Sequence, residues 1–238
     1  MAGIERPQSV SKAGIGERNL KYALLNLPVR SGAKSSYDDG FVPWFRSPVY
    51  AWLGLRPALA QHTAAEHAAI RRWAAGRSSL VEIGVAEGVS AMALREGMAA
   101  DGTLYLIDPF HLSRAPALNF MKRTARRAVG NCRRGNVVWI EKFSQEAARS
   151  WNTAIDLVLI DADHSESAVE RDWNDWSRFV QPGGVVIFHD ARVFEGGWTG
   201  SDWGPVRLVN RLFRYEHNPE WTIAEEVHSL LVAERRKR

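Results

Sequence analysis

Two apolar runs in this chain end in residues that can move protons or hold cations. "DLVLIDADHSES" leads into Asp161, Asp163 and His164, and "GGVVIFHDAR" climbs to His189 and Asp190. An imidazole titrating near neutrality can remove a proton from a hydroxyl, and carboxylates can chelate a divalent cation that lowers the pKa of a bound oxygen. A second group lies earlier. "VEIGVAEGVS" sets Glu82, Gly84, Gly88 and Ser90 where an apolar run gives way to a helical pattern, and "LYLIDPF" ends in Asp108. Glycines there allow a tight turn and close approach of backbone to a ligand, while the next helix offers its free N–H groups. The spacing is G-x-x-x-G, not the G-x-G-x-x-G of dinucleotide binders, so a pyrophosphate cradle matches poorly. Asp108 is placed to accept hydrogen bonds from vicinal ribose hydroxyls.

The elements that must position these residues alternate. "HTAAEHAAIRRWAAG" reads as a helix opened by a Thr63–Glu66 capping box and closed by Gly76. "SLVEIGV", "GTLYLID", "VVWIEKF", "IDLVLID" and "GGVVIFHD" read as strands, separated by helices in "SAMALREGMA", "PALNFMKRTARRAV", "SQEAARSW" and "SAVERDWNDWSRFV". "WGPVRLVNRLFRY" adds a helix, and "WTIAEEV" with "SLLVAE" a closing hairpin. The expected fold is α/β: a Rossmann-like, doubly wound, mostly parallel seven-stranded sheet with a C-terminal antiparallel hairpin. Such sheets bind ligands beyond the carboxyl ends of their strands, so Glu82, Asp108, Asp161, His164, His189 and Asp190 fall on one rim. Any single acid there could cap a helix or sit in solvent. His164 could cap the helix opening at Ser165 or Ser167, since Ser167 and Glu170 have capping-box spacing. Beyond the fifth strand, "ARVFEGGWTGSDWGPVR" brings Trp198 and Trp203 among glycines, which suits an acceptor pocket for a ring or sugar as well as plain packing.

Composition narrows the function classes. One main domain is expected from 238 residues: residues 61–238 as the catalytic domain, and 1–60 as an N-terminal extension that could form a lid. A helix in "NLKYALLNL" and a loop in "SGAKSSYDDGFVPWFRSP" are expected within that extension. The single cysteine, Cys132, rules out an internal disulfide, and no segment has the length of apolar residues a membrane span needs. The expectation is a soluble, cytoplasmic protein. A net charge of +4, with basic clusters in "KRTARRAVGNCRR" and the tail "ERRKR", is a weak nucleic-acid signal.

In this order the motifs resemble the class I S-adenosylmethionine-dependent methyltransferases, from about Leu80 to the C-terminus, and within them the catechol-type and macrocin-type O-methyltransferases. The resemblance implies that the loop from Glu82 to Gly88, with Ser90, holds the methionine part of the cofactor, Asp108 its ribose, and Ser144 and Gln145 of "FSQEAA" its adenine, with Asp161 closing the cofactor site. It implies that Asp161 also binds a divalent cation such as Mg²⁺ and that His164, three residues on, accepts the substrate proton. In those families the fifth strand ends in Asp-Asn or Asp-Asp. Here Asp190 carries over as a metal ligand, and His189 stands in for the remaining one although imidazole is softer than Mg²⁺ prefers. The function so implied is O-methylation of a small-molecule hydroxyl, with no nucleic acid or membrane partner and self-association left open. An RNA-binding or regulatory protein keeping the fold is the alternative, and a nicotinamide-dependent oxidoreductase is opposed by the glycine spacing.

Overall fold

A computed structural model describes residues 47–110, 119–216 and 218–237. The expectations for residues 1–46, and for the first residues of the helix in "PALNFMKRTARRAV", lie outside the described residues. The sheet has seven strands, β1 (Ser79–Ile83), β2 (Thr103–Ile107), β3 (Asn136–Ile140), β4 (Ile155–Ile160), β5 (Val180–Phe188), β6 (Trp221–Val227) and β7 (Leu230–Arg235), in the order β3-β2-β1-β4-β5-β7-β6. The first five run parallel, and β7 joins β5 antiparallel as half of the closing hairpin. The helices are α1 (Pro48–Trp52), α2 (Ala64–Ala74), α3 (Val89–Gly97), α4 (Phe120–Gly130), α5 (Ser144–Arg149), α6 (Glu166–Trp176) and α7 (Gly204–Asn210).

The period of two along each strand divides the apolar residues between two cores. Leu80, Leu104, Leu106, Leu157 and Leu159 face α2, α3 and α4 through Ile70, Leu94 and Val129. Val81, Ile83, Ile107, Val158 and Ile160 face α5, α6 and α7 through Ala147, Trp173, Trp176 and Leu208. Strands apolar on both faces must be covered on both, and the alternation of strand and helix does that. The Thr63–Glu66 capping box forms, and the same buried Glu66 also accepts the N–H and hydroxyl of Ser229 in the β6–β7 turn, fixing the hairpin to the start of α2.

Three local expectations change. The sixth helix ends at Trp176, and a 3₁₀ turn delivers Val180 into β5, where it pairs with Ile155 before the register shifts over residues 181–184. Pro182 cannot extend a helix, and Gly183 takes a left-handed φ of +82°. The N-cap of α6 is Ser165, and the Ser167–Glu170 box is not formed because Glu170 accepts instead from Arg211 at 2.7 Å. "WGPVRLVNRLFRY" splits into α7 and a π-helical turn over Arg211–Tyr215. Among the described residues no helix is long and apolar enough to cross a membrane.

Candidate active site

The loop between β1 and α3 is shaped by close approaches. Gly84 has φ +85°, and a Cβ there would lie 1.9 Å from the carbonyl oxygen of Asp161, so only glycine lets the ends of β1 and β4 meet. Gly88, the N-cap of α3 at φ +82°, would place a Cβ 2.9 Å from Cα of Ala125. Asp108 braces the loop from the end of β2. One carboxylate oxygen accepts the N–H groups of Val85 (2.9 Å) and Ala86 (3.3 Å), and the other that of Phe110 (2.7 Å). Ala86 and Phe110 both hold positive φ, and with Asp190 they make three of the four non-glycine residues so strained among the described residues. Strain gathered at the carboxyl rim is what a ligand site tends to show.

Glu82 lies beneath this loop and is fully buried. The Ser90 hydroxyl donates to it, while its other oxygen makes no aligned hydrogen bond among the described residues. Burial pushes its carboxyl well above the usual range, with Asp161 and Asp108 acting in the same direction and Ser90 opposing. Glu87 is held from outside by a bidentate ion pair with Arg56 at 2.7 and 2.8 Å, and it also accepts the N–H of Leu59. Both partners are nearly buried, so the chain leading out of α1 is strapped across the glycine loop. Sequence reading missed this pair, whose members stand 31 residues apart with no motif linking them. At the start of α5, the Ser144 hydroxyl is turned onto Asp172 of α6, whose carboxyl burial raises to about 6, and Gln145 lies half-buried beside it.

The other half of the rim, at the ends of β4 and β5, is a cluster of titratable groups. Nδ1 of buried His189 is 3.2 Å from Asp161 Oδ1 and 3.4 Å from Asp190 Oδ1, and Nε2 of His164 is 3.1 Å from Asp190 Oδ2 and 3.7 Å from Asp161 Oδ1. These are ion-pair distances, yet Nε2 of His164 and both nitrogens of His189 are buried without an aligned hydrogen bond among the described residues. Burial opposes charge on both imidazoles, but the carboxylates of Asp161 and Asp190 outweigh it and raise both pKa values, that of His189 strongly. Burial likewise opposes charge on Asp190, and the two histidines prevail, holding its carboxyl far below the usual range. The Trp198 indole N–H donates to Asp190 Oδ1 at 2.7 Å, and Trp203 sets its ring edge-on to His164 at 5.7 Å. His62, which sequence reading passed over, sits edge-on to His189 and bonds to His67 at 3.1 Å. Burial, then the charge on His189, pushes its pKa down to about 3, so it stays neutral.

The structure therefore brings Asp161, His164, His189 and Asp190 together, with Gly84 against Asp161. Gly88 and Asp108 lie along the same rim, whereas Glu82, Ser90 and Ser144 spend their polar atoms inward. Asp161, His164 and His189 can each offer one atom to a common ion, these atoms lying within 4.8 Å of one another.

Comparison with known proteins bears on the fold. Residues 81–191 match a family model described as a methyltransferase domain. A solved protein from Corynebacterium glutamicum is similar in fold, with 15% identity over 81% of this chain and 88% of that one and a TM-score of 0.60. An O-methyltransferase of tomaymycin synthesis from Streptomyces achromogenes, solved with S-adenosylmethionine, is 17% identical over 80% and 88% of the two chains at a TM-score of 0.53. An O-methyltransferase from Bacillus cereus, solved with S-adenosylhomocysteine, is 16% identical over 79% and 87% at 0.52.

Proposed function

We propose that this chain, whose residues 81–191 match a methyltransferase domain model, is a class I S-adenosylmethionine-dependent methyltransferase that methylates a hydroxyl group of a small-molecule acceptor. The observation that carries the reading is the His164–Asp190 contact at 3.1 Å, set beside a glycine loop that touches Asp161. The fit to the cofactor rests on that loop: two glycines that admit no Cβ, a helix N-terminus behind them, and the braced carboxylate of Asp108. When bound, S-adenosylmethionine supplies a methyl group on a sulfonium, ready for in-line displacement. The protein has to aim the acceptor oxygen and take its proton.

His164 is the member of the cluster that reaches the surface, its side chain 37% exposed. Asp190 faces its Nε2 and stabilises the imidazolium, leaving Nδ1 for the acceptor's proton, and Trp198 keeps Asp190 in place. Asp161 and His189 fix the charge pattern behind them. Mg²⁺ does not fit these donors, since it takes hard oxygen ligands in an octahedron and two of the groups are imidazoles, so no step is routed through it. Trp203 beside His164 suits an acceptor carrying a ring or sugar.

We also assign residues 1–60 to an N-terminal extension and 61–238 to the catalytic domain; of the described part of the extension, Arg56 reaches Glu87 of the glycine loop. A lone cysteine, Cys132, fits a reducing cytoplasm. The basic helix favours no nucleic-acid partner: Lys122 and Arg126 pair with Glu141, and Arg127 donates to the Trp52 carbonyl.

Calorimetry and turnover on a panel of hydroxylated small molecules test the reading. His164→Ala should leave cofactor affinity unchanged and lower turnover by about 10²–10⁴-fold. Because His164 is raised above its ordinary value and acts as the neutral base, the wild-type rate should begin to fall above pH ~6.5 as pH decreases. Absence of S-adenosylmethionine binding, or salt-sensitive RNA binding without turnover, would overturn it.

A further inference from the structure

We propose that the cavity between the loop leaving β5 and the end of α7 binds a carboxylate or phosphate group, and that this group belongs to the methyl acceptor. The cavity, of about 200 Å³, is lined by Arg192, Val193, Ser201, Val206, Asn210 and Arg214. Two guanidiniums, a hydroxyl and a carboxamide offer hydrogen-bond donors, and none of the described residues lining it is acidic. Both arginines face one carboxylate oxygen: Glu226 Oε1 lies 3.1 Å from Nε of Arg192 and also accepts from Nη2 of Arg214. Arg192 Nη1 donates to the His228 carbonyl at 3.0 Å. One carboxylate cannot neutralise two guanidiniums. Nη2 of Arg192, with Nε and Nη1 of Arg214, makes no hydrogen bond among the described residues. A positive charge and a set of N–H groups are therefore left for an anion, which guanidinium forks bind in bidentate fashion.

The surroundings point the same way. Arg207 and Arg211, on the same stretch as Arg214, each have an acid of their own, Glu166 at 3.6 Å and Glu170 at 2.7 Å. The unbalanced charge falls to Arg192 and Arg214. The π-helical turn over Arg211–Tyr215, a form frequent at functional sites, carries Arg214. Val193 and Val206 supply an apolar wall for the stem of the ligand. The cavity also adjoins the reaction site. Ala191, which lines it, follows Asp190 directly, and Val206 to Asn210 lie roughly 5–10 Å along α7 from Trp203, the residue beside His164. A small molecule can hold its acid group here and present a hydroxyl to His164. On the reading of His164 as the proton acceptor, on which this assignment rests, the methyl acceptor is a hydroxylated carboxylic acid or phosphate ester.

The test is calorimetry on the full-length protein with 4-hydroxybenzoate, its uncharged amide and inorganic phosphate as probes. The expected result is one 4-hydroxybenzoate per chain, displaced by phosphate, with the amide bound at least about 10-fold more weakly. Arg214→Gln, at a half-exposed position, should weaken 4-hydroxybenzoate binding roughly 10–100-fold through loss of a charge-assisted hydrogen bond. Glu226→Gln should strengthen it several-fold, because both guanidiniums are released, a gain that a merely structural role for Glu226 would not give. S-adenosylmethionine binding reports that both variants are folded. Among hydroxylated acceptors that turn over, acids should be preferred to their amides, and Arg214→Gln should raise KM for the acid while sparing kcat. No binding of either anion in wild type, equal binding of acid and amide, an unchanged affinity in Arg214→Gln or a loss in Glu226→Gln would overturn the site. Anion binding without any preference for acid acceptors in turnover would overturn its assignment to the acceptor. The methyltransferase reading fails separately, by absence of S-adenosylmethionine binding while the anion still binds.

Discussion

The two halves of the carboxyl rim solve opposite problems. At β1 and β2 the polar groups are consumed by the protein itself: Asp108 by three backbone N–H groups, Ser90 by Glu82, Glu87 by Arg56. At β4 and β5, Asp161, His164, His189 and Asp190 crowd within ion-pair distance, and three of their nitrogens lack an aligned hydrogen bond among the described residues. The first half is a fixed mould whose polar atoms set a shape. The second is a charge balance that a proton, an acceptor or an ion can tip.

The sharpest break in this comparison is at the point where the halves touch. Gly84→Ala would drive a methyl group into the Asp161 carbonyl at 1.9 Å with backbone on both sides, and should cost more than about 4 kcal/mol or prevent folding. Gly76→Ala, with nothing within 4 Å of its Cβ, is the control and should cost only the left-handed penalty of about 1–2 kcal/mol. Equal losses in chemical denaturation would deny the contact its importance.

Replacing an acid by its amide then separates the halves. Asp190→Asn removes a depressed carboxylate facing two imidazoles, and should destabilise by about 3 kcal/mol at neutral pH because it leaves buried charge without its partner. A change below about 1 kcal/mol would mean that the cluster is not charged as described.

Asp172→Asn should act in the opposite direction. Its folded pKa is raised, so wild-type stability should decline as pH rises from about 4 to about 6, where the folded state keeps a proton that the unfolded chain releases. Removing that ionisation should gain on the order of 2–3 kcal/mol at pH 7 and flatten the profile over that window. An unchanged pH profile in urea melts would reject it. The smallest effect belongs to Glu82→Gln. A carboxyl held protonated by burial already resembles an amide, so stability should move by less than about 1 kcal/mol while the Ser90 contact survives.

What was legible in the sequence follows from the range of the signals. Apolar runs alternating with helical patterns placed the first five strands, and a turn between two short runs the closing hairpin; the runs ending in acids or histidine put Asp108, Asp161, His164, His189 and Asp190 on one edge, because strand direction is the same for all five. The inward turn of Glu82 was less visible: period two sets its face, but its partner Ser90 comes from the following helix. Ser165 and Ser167 both offered caps, and the choice fell to Asp163, which accepts the Ser165 N–H at 2.8 Å. The roles of His62 and Arg56, and the partner of Trp198, were out of reach, since each meets its partner through a loop whose path is set by tertiary packing.

The Gly84–Asp161 approach has a thermodynamic side. Asp161 donates its N–H to the Ile83 carbonyl at 2.9 Å while its own carbonyl fills the space beside Gly84, so the glycine loop cannot shift without moving the acid that faces His189. Two ligands that lean on one rigid contact are linked, and linkage is reciprocal. With the cofactor on the loop and the acceptor on the rim, as proposed, whatever factor the one adds to the other's affinity must be returned in kind, and a substitution that loosens the contact should lower both affinities together.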